Sequence, residues 1–205
     1  LHRRDPLDAE RLRDRRVRVG VDLRELHPAP ARRGALLENR ISEWNCRGLG
    51  VERELDDFHA CIGRGVPVTQ GDLEEELPPF GAGDFDVAVL SLTLQAVRRP
   101  DRVLTEMKRV APRLVVSLPN FAHWKMRATL ALRGRMPVTD ALPYQWYDTP
   151  NIHLCTIRDF EQLTGELDLK IDRRILIDAT GRRTGGLARR APNLLAERVV
   201  YSLTA

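Results

Sequence analysis

The sequence predicts an α/β fold: a mostly parallel sheet with helices on both faces and an antiparallel strand near the C-terminus. Two apolar runs, at residues 87–94 and 114–118, are the first indication. Unbroken apolarity over about five to eight residues is typical of a strand covered on both faces, as in a parallel sheet. The second indication is that strand-like and helix-like segments alternate along the chain, which is the order found in parallel α/β folds.

Seven segments are predicted to be strands. The last two are separated by a short segment that contains a glycine-rich loop at residues 181–186, and this favours antiparallel pairing between them. In chain order the predicted strands are residues 17–23, 48–52, 67–70, 87–94, 114–118, 170–178 and 197–203.

Two helices are predicted from apolar residues at a spacing of three to four. The first begins at Pro100 with Asp101 as its N-cap, and its buried stripe consists of Val103, Leu104, Met107 and Val110. The second begins after Thr156, where Thr156 and Asp159 have the pattern of a capping box, and we expect Gly165 to help end it. Its inward face is predicted to be Ile157, Phe160 and Leu163.

Polar side chains follow the two long apolar runs. Gln95 comes after the first run, and Asn120 and His123 come after the second. Because ligands of open α/β sheets bind beyond the carboxyl ends of the strands, the sequence predicts a pocket at this edge. These three residues are candidates to contact a substrate or a partner. His123 is also a candidate acid–base group, although a hydrogen-bonded structural role is commoner for a single histidine.

The segment at residues 134–154 is too long for a bare connection, and such loops are often lids or binding surfaces. It contains Tyr144, Trp146 and Tyr147 in a chain that is only 5% aromatic. Aromatic side chains with polar tips suit the lip of a pocket or a docking site for another protein. They also suit a third role, fastening the loop to its own domain. His153 is a further acid–base candidate in this segment.

Composition limits the class of protein. The 205 residues are 42% hydrophobic and 30% charged, which suits one globular domain over residues 1–205. The chain has no apolar run long enough to span a bilayer and no signal-peptide pattern, so a cytoplasmic location and no membrane partner are expected. Three cysteines without a CxxC spacing indicate neither disulfides nor a metal site.

The net charge of +4 does not by itself indicate a nucleic-acid partner. The arginines are scattered among acidic residues, which favours a solvated surface. The densest basic stretch is Lys125, Arg127, Arg133 and Arg135, on and after a predicted helix. An acidic partner surface and an exposed helix face with a cationic last turn are both compatible with it, and the second is favoured.

Several segments together resemble the MetW family of bacterial methionine-biosynthesis proteins. The resemblance is continuous from about residue 46 to residue 160 and looser beyond. The segments that carry it are GVPVTQGDL at 65–73, QAVRRPDRVLTEM at 95–107, SLPNFAHW at 117–124, LRGRMPV at 132–138 and LPYQWYDTPNIHLCTIRDF at 142–160.

The resemblance implies a Rossmann-like, class I S-adenosylmethionine-methyltransferase-like fold and a partner, homoserine O-acyltransferase. It also implies candidate cofactor-binding residues at the strand ends. Glu52 matches the acid that accepts hydrogen bonds from the ribose hydroxyls, Asp72 would take the adenine amino group, and Leu73 would stack beside the ring. Ser91 is the fourth candidate. Both acids have an alternative structural role, Glu52 as a solvated strand-end acid and Asp72 as a turn or helix-cap residue.

The first 45 residues depart from the family pattern. A cofactor-binding member of this fold has an acidic, glycine-rich turn after its first strand, because glycine lets the backbone approach the cofactor. Here Asp22 is followed by residues such as Arg24, His27, Pro28 and Pro30. A local shift of reading frame and a loss of the cofactor site are both open explanations. In either case the chain as it stands is predicted to bind S-adenosylmethionine weakly or not at all.

The sequence has no GxSxG elbow, P-loop lysine motif or HExxH pair. Ser91, Ser117 and Cys155 lack the local signature of an acyl-transfer nucleophile. The resemblance therefore favours an accessory or regulatory partner of homoserine O-acyltransferase. An active methyltransferase on a small molecule and a cofactor-free scaffold remain as alternatives.

Overall fold

The structure is a computed structural model that describes residues 18–22, 47–74, 80–139 and 142–205. The segment at residues 23–46, where the glycine-rich turn was expected, lies outside the described residues. That segment includes Cys46 and the last residue of the first predicted strand, residue 23. The first residue of that strand, residue 17, also lies outside the described residues.

The described residues form a sheet of seven strands in the order β3-β2-β1-β4-β5-β7-β6. The strands are β1 Arg18–Asp22, β2 Arg47–Glu52, β3 Val68–Gln70, β4 Val87–Ser91, β5 Arg113–Pro119, β6 Lys170–Ile177 and β7 Arg198–Thr204. The first five strands pair in parallel with one another. β7 runs antiparallel to both β5 and β6. The predicted mostly parallel sheet with a C-terminal antiparallel strand is therefore confirmed.

The α-helices of the described residues lie between these strands in sequence. They are α1 Leu55–Gly63, α2 Pro100–Val110, α3 Trp124–Arg133, α4 Ile157–Glu166, and two single-turn helices, α5 Leu187–Arg190 and α6 Pro192–Leu195. The predicted stripe of α2 is buried as expected. The capping box of α4 is present: the Asp159 N–H donates to Thr156 Oγ1, and the Thr156 N–H donates to the Asp159 carboxylate.

Three local predictions were wrong. The apolar run at residues 87–94 is a strand only as far as Ser91, because the chain then turns through a left-handed residue, Leu92, with φ of 52°. Arg99, not Asp101, is the N-cap of α2, because Pro100 takes the first helical position that suits its fixed φ. Gly165 lies inside α4, which ends at Glu166, and the positive φ after the helix belongs to Asp168.

A continuous apolar core joins the sheet to the helices. Leu90 of β4, Leu114 and Val116 of β5 and Leu203 of β7 are almost completely buried. The ring of Phe160 from α4 packs on that of Tyr201 from β7, with the ring centroids 4.7 Å apart. This packing fixes α4 against the antiparallel end of the sheet.

The register of the sheet brings the carboxyl ends of the parallel strands to one edge. Glu52 at the end of β2 is opposite Gln70 of β3, and Ser91 at the end of β4 is opposite Ser117 of β5. The strand order reverses at β1, which has β2 on one side and β4 on the other. Ligands of such sheets bind in the crevice at this reversal.

Candidate functional site

Glu52 is a buried carboxylate at the end of β2, with only 2% of the residue exposed. Its Oε1 accepts hydrogen bonds from the backbone N–H groups of Arg53 and Glu54, at 2.9 and 3.0 Å. Its Oε2 is buried and has no hydrogen-bond partner among the described residues. A buried acceptor without a donor is costly, so Oε2 of Glu52 has the capacity to accept one more hydrogen bond.

Asp72 and Leu73 follow β3 at the same edge. Asp72 Oδ1 accepts a hydrogen bond from the Glu74 N–H at 2.9 Å, which makes a turn, and its Oδ2 lies 3.8 Å from the Arg53 guanidinium. Leu73 is buried in the apolar core. The structure thus places these two residues next to the Glu52 end of the site, and Asp72 takes part in the turn geometry that the sequence offered as its alternative role.

The turn after β4 is tied to β5. The Leu92 N–H donates to both the backbone oxygen and the Oγ of Ser117, each at 3.1 Å, and the hydroxyls of Ser91 and Ser117 are 3.4 Å apart. A leucine with positive φ costs of the order of 1 kcal/mol or more, and strain of this kind is concentrated at functional turns. Sequence reasoning missed it, because leucine carries no signal for a left-handed conformation.

Gln95 is buried behind this turn. Its side-chain Nε2 donates to the Leu92 backbone oxygen at 2.7 Å, and its Oε1 has no partner among the described residues. Its backbone oxygen accepts from the N–H groups of Ile152 and His153. Gln95 and His153 line a cavity of about 250 Å³, together with Cys155. The structure therefore joins two predicted site residues that are far apart in sequence.

Asn120 holds the chain after β5 in place. It is completely buried, its Nδ2 donates to the backbone oxygens of Asn193 and Ala196, and its Oδ1 accepts from the Ala122 N–H. These bonds join the β5 end to the segment before β7. Both the nitrogen and the oxygen of the side-chain amide are hydrogen-bonded to backbone groups. Asn120 therefore holds these two segments of the chain together.

His123 is also buried, and its Nδ1 has no hydrogen-bond partner among the described residues. Burial, and secondarily the charge of Lys125, lowers the pKa of its imidazole. A histidine with a lowered pKa is neutral near pH 7, so it can accept a proton or a hydrogen bond. The imidazole lies beside the Trp124 ring, with the ring centroids 5.9 Å apart.

The aromatic residues of the long segment behave differently from one another. Tyr144 is half-buried, whereas Trp146 and Tyr147 are 72% and 71% exposed. The last two rings pack edge to face on each other, with centroids 5.7 Å apart. Trp146 and Tyr147 therefore do not fasten the loop to its own domain. His153 Nε2 lies 3.3 Å from the Arg98 backbone oxygen, which ties the end of this segment to the β4 turn.

Cys155 is a poor nucleophile in this structure. Burial first, and the neighbouring Asp159 carboxylate second, raise the pKa of its thiol to about 12. Because the thiolate is the reactive form, this thiol is a weak nucleophile near neutral pH. Its Sγ–H donates to the Thr156 backbone oxygen at 3.3 Å.

Ion pairs around the strand ends were not predicted from the sequence. Arg98 lies 3.5 Å from the Glu74 carboxylate, and its backbone N–H also donates to that carboxylate. This joins the β4 turn to the chain after β3. Within the described ranges, no three His, Cys, Asp or Glu residues are grouped as a metal ion would require. None of the helices in the described part of the chain is long and apolar enough to cross a membrane.

Comparison with known proteins finds one matching family model and a similar curated protein. The family model described as "Methionine biosynthesis protein MetW" matches residues 30–203. The bifunctional methionine biosynthesis protein MetXA/MetW of Rhodopirellula baltica is 36% identical over 133 residues, which are 64% of this chain and 21% of that protein. The matched part of the chain thus spans about a fifth of the length of this curated relative, 21%.

Solved structures share the fold at low sequence identity. A SAM-dependent methyltransferase from Archaeoglobus fulgidus has a TM-score of 0.63 and 15% identity, over 98% of this chain and 94% of that one. The plantazolicin methyltransferase BpumL in complex with SAH has a TM-score of 0.59 and 13% identity, over 92% of this chain and 76% of that one. These likenesses confirm the predicted class I methyltransferase-like fold, and at such identities they show the fold alone.

Proposed function

The chain belongs to the family of methionine biosynthesis protein MetW, and we propose that it is an accessory subunit of a homoserine O-acyltransferase. In this proposal the chain docks on the acyltransferase and raises its activity. With an acidic, glycine-rich turn present after β1, a site of the S-adenosylmethionine-binding type would let that support respond to the product side of the pathway. The acyl transfer itself takes place in the partner.

The exposed aromatic pair carries the docking part of the proposal. Trp146 and Tyr147 are each more than 70% exposed in a chain with three tryptophans and three tyrosines. Exposure of large aromatic side chains to water is unfavourable, and tryptophan and tyrosine are enriched at the centres of protein interfaces. A relative in which MetXA and MetW occur in one bifunctional protein supports the same partner, because fusion keeps two cooperating units together.

The lack of an acyl-transfer nucleophile supports an accessory role. The Ser91 and Ser117 hydroxyls lie against each other at 3.4 Å. Neither hydroxyl is hydrogen-bonded to a histidine of the described residues, and an activating base is what such a serine needs. Cys155, with a thiol pKa of about 12, is protonated at neutral pH. None of these three candidate side chains is therefore an activated nucleophile for acyl transfer.

Glu52 carries the cofactor part of the proposal. Its unpartnered Oε2 lies at the end of β2, at the edge where ligands of this fold bind, and a ribose hydroxyl would supply the missing donor. Asp72 follows the neighbouring strand β3, and in this proposal its carboxylate contacts the base. When bound, S-adenosylmethionine would supply an electrophilic methyl group, or act only as an effector.

The test of docking is a double variant, Trp146→Ala with Tyr147→Ala. It should remain folded, since both side chains are exposed, and its Kd for homoserine O-acyltransferase should rise by about 30-fold or more, because loss of a central aromatic commonly costs about 2 kcal/mol. Co-purification and calorimetric titration measure the association, and circular dichroism measures the fold.

Leu187→Ala is the matched control, because Leu187 is 73% exposed but lies on α5, far along the chain from the aromatic pair. It should bind the acyltransferase as the unmodified chain does. Full association of the double variant would remove the aromatic pair from the interface. An unfolded double variant would show that these rings support the fold.

An active methyltransferase is the second candidate function. The buried, neutral imidazole of His123 favours it, because an unpartnered Nδ1 beyond the end of β5 could accept a proton from a methyl acceptor. Transfer of a labelled methyl group from S-adenosylmethionine to a small molecule would distinguish this candidate from the accessory subunit.

A further inference from the structure

We propose that α3 and residues 134–138, here called the α3 surface, form a second docking surface that receives an apolar patch rimmed with acidic side chains. The occupant is the same acyltransferase, so the inference rests on the proposed function and adds the chemistry of the partner's surface. The observations that carry it are the exposure, the charge and the helix-end placement of these side chains.

The α3 surface is largely unpacked against its own domain. Within residues 124–138, all of which the structure describes, only Met126 and Pro137 are buried. A ten-residue helix is marginal alone and depends on packing for its stability. Its exposed apolar side chains are Trp124 at 48%, Leu130 at 38%, Leu132 at 84%, Met136 at 41% and Val138 at 46%. Several exposed apolar side chains within one short segment make it a candidate interaction surface.

The charge of the α3 surface has one sign. Residues 121–139 contain no Asp or Glu, whereas they contain Lys125, Arg127, Arg133 and Arg135, all of them exposed. The chain as a whole has 33 basic and 29 acidic residues, so this segregation is local. Apolar side chains framed by cations are complementary to an apolar patch framed by carboxylates.

Two of these cations are placed against the preference of the helix. Lys125 and Arg127 are in the first turn of α3, which has no acidic residue, and the partial positive charge of a helix N-terminus disfavours cations there. Arg127 Nε donates to the Ala122 backbone oxygen at 2.7 Å, and carboxylates of a partner would relieve the unfavourable placement of Lys125. Local choices that conflict with the fold are expected where a surface serves binding.

A protein partner explains the surface better than an anionic membrane does. In the relative named as bifunctional MetXA/MetW, the part similar to this chain belongs to a longer protein, which favours a protein partner. Leu132, the most exposed apolar side chain of the group, is flanked by Arg133, and arginine is enriched at the centres of protein interfaces. An anionic lipid surface is left as an outcome of the test.

Two variants test the proposal against homoserine O-acyltransferase by calorimetric titration. Leu132→Ser removes an apolar contact, and Arg133→Glu with Arg135→Glu reverses the charge. Their matched controls are Leu187→Ser and Arg182→Glu with Arg183→Glu, at exposed side chains outside the α3 surface. Each test variant should raise Kd by about tenfold or more, and the controls should leave it unchanged. Salt should weaken binding of the unmodified chain more than that of the charge-reversed variant.

The outcomes separate this inference from the proposed function. If the unmodified chain does not bind the acyltransferase, the proposed function and this inference fail together. If the unmodified chain binds and both test variants bind equally well, only the inference fails. Binding of the unmodified chain to phosphatidylglycerol vesicles, lost in the same two variants while acyltransferase binding is kept, would overturn the choice of a protein partner.

Discussion

At the scale of single residues, Glu52 is the most informative side chain because its two oxygens have different surroundings. One oxygen closes the backbone turn after β2, and the other is buried without a donor in the described structure. A residue with a purely structural role would be expected to have both oxygens satisfied. The unsatisfied oxygen is therefore the atom of Glu52 to which the proposed ligand-binding role is assigned, whereas the other oxygen serves the turn.

Replacement of Glu52 by glutamine tests that separation. The glutamine side chain keeps one carbonyl oxygen for the two backbone N–H groups, so the free energy of unfolding should change little. It loses the second acceptor, and hydrogen bonds to charged groups contribute about 1.5 to 3 kcal/mol each. In a version of the chain with an acidic, glycine-rich turn built after β1, calorimetric titration should show at least about tenfold weaker binding of S-adenosylmethionine on Glu52→Gln.

The chain without that engineered turn is the reference. It should bind S-adenosylmethionine weakly or not at all, because residues 23–46 contain no glycine-rich segment to approach the cofactor. Tight binding by this reference chain would contradict the interpretation of its N-terminal part. Equal affinity of the engineered chain with and without the Glu52→Gln substitution would remove Glu52 from the site.

Residue roles were only partly predictable from the sequence. The position of Glu52 at a strand end follows from the pattern, but its unsatisfied oxygen depends on which backbone N–H groups reach it. Asn120 and His123 are close together in the sequence pattern and both polar, yet only Asn120 has its side chain fully bonded. Such differences come from tertiary contacts, which a local pattern does not contain.

At the scale of elements, two glycines near helix ends, Gly134 and Gly165, have different backbone conformations. Gly134 closes α3 with φ of 59°, and its N–H donates to the Leu130 backbone oxygen at 3.0 Å. Gly165 lies in the last turn of α4, and a Cβ placed there would meet no atom within 4 Å. The first glycine is required by its left-handed backbone, and the second is not.

Alanine at these two glycines should therefore have opposite effects. Gly134→Ala should lower the free energy of unfolding by about 1 kcal/mol, because a left-handed backbone strains an alanine. Gly165→Ala should raise it by about 0.5 to 1 kcal/mol, because alanine loses less entropy in a helix. Urea unfolding followed by circular dichroism measures both, and the same sign of change for both variants would contradict the assigned helix ends.

Elements were more predictable than their ends. Long apolar runs and the stripe of α2 specify a buried strand and an amphipathic helix through periodicity alone. The stop of β4 at Ser91 was missed, because Leu92 to Leu94 continue the apolar pattern through a turn. The end of α4 was misplaced for the opposite reason, since Gly165 has the composition of a helix stop without its conformation.

At the scale of the whole molecule, the sheet order places the candidate site and the docking surfaces on one connected set of segments. The chain that follows β5 supplies Asn120, His123 and α3, and it then continues to Trp146 and Tyr147 before it returns to Gln95 through the N–H of His153. This segment is hydrogen-bonded to Gln95, which follows the turn after β4. A partner that binds the segment would therefore contact residues joined to that turn. If the proposed docking and cofactor sites are both correct, this connection links them through one segment of the chain.

The most direct test of the accessory-subunit account is the steady-state rate of homoserine acylation. Purified homoserine O-acyltransferase is assayed alone, with a saturating amount of this chain, and with the Trp146→Ala, Tyr147→Ala variant, and the chain is assayed by itself. We expect the chain alone to transfer no acyl group, the unmodified chain to raise kcat/KM of the acyltransferase, and the variant to raise it less. Identical kinetics of the acyltransferase with and without the unmodified chain, or acyl transfer by the chain alone, would contradict the account.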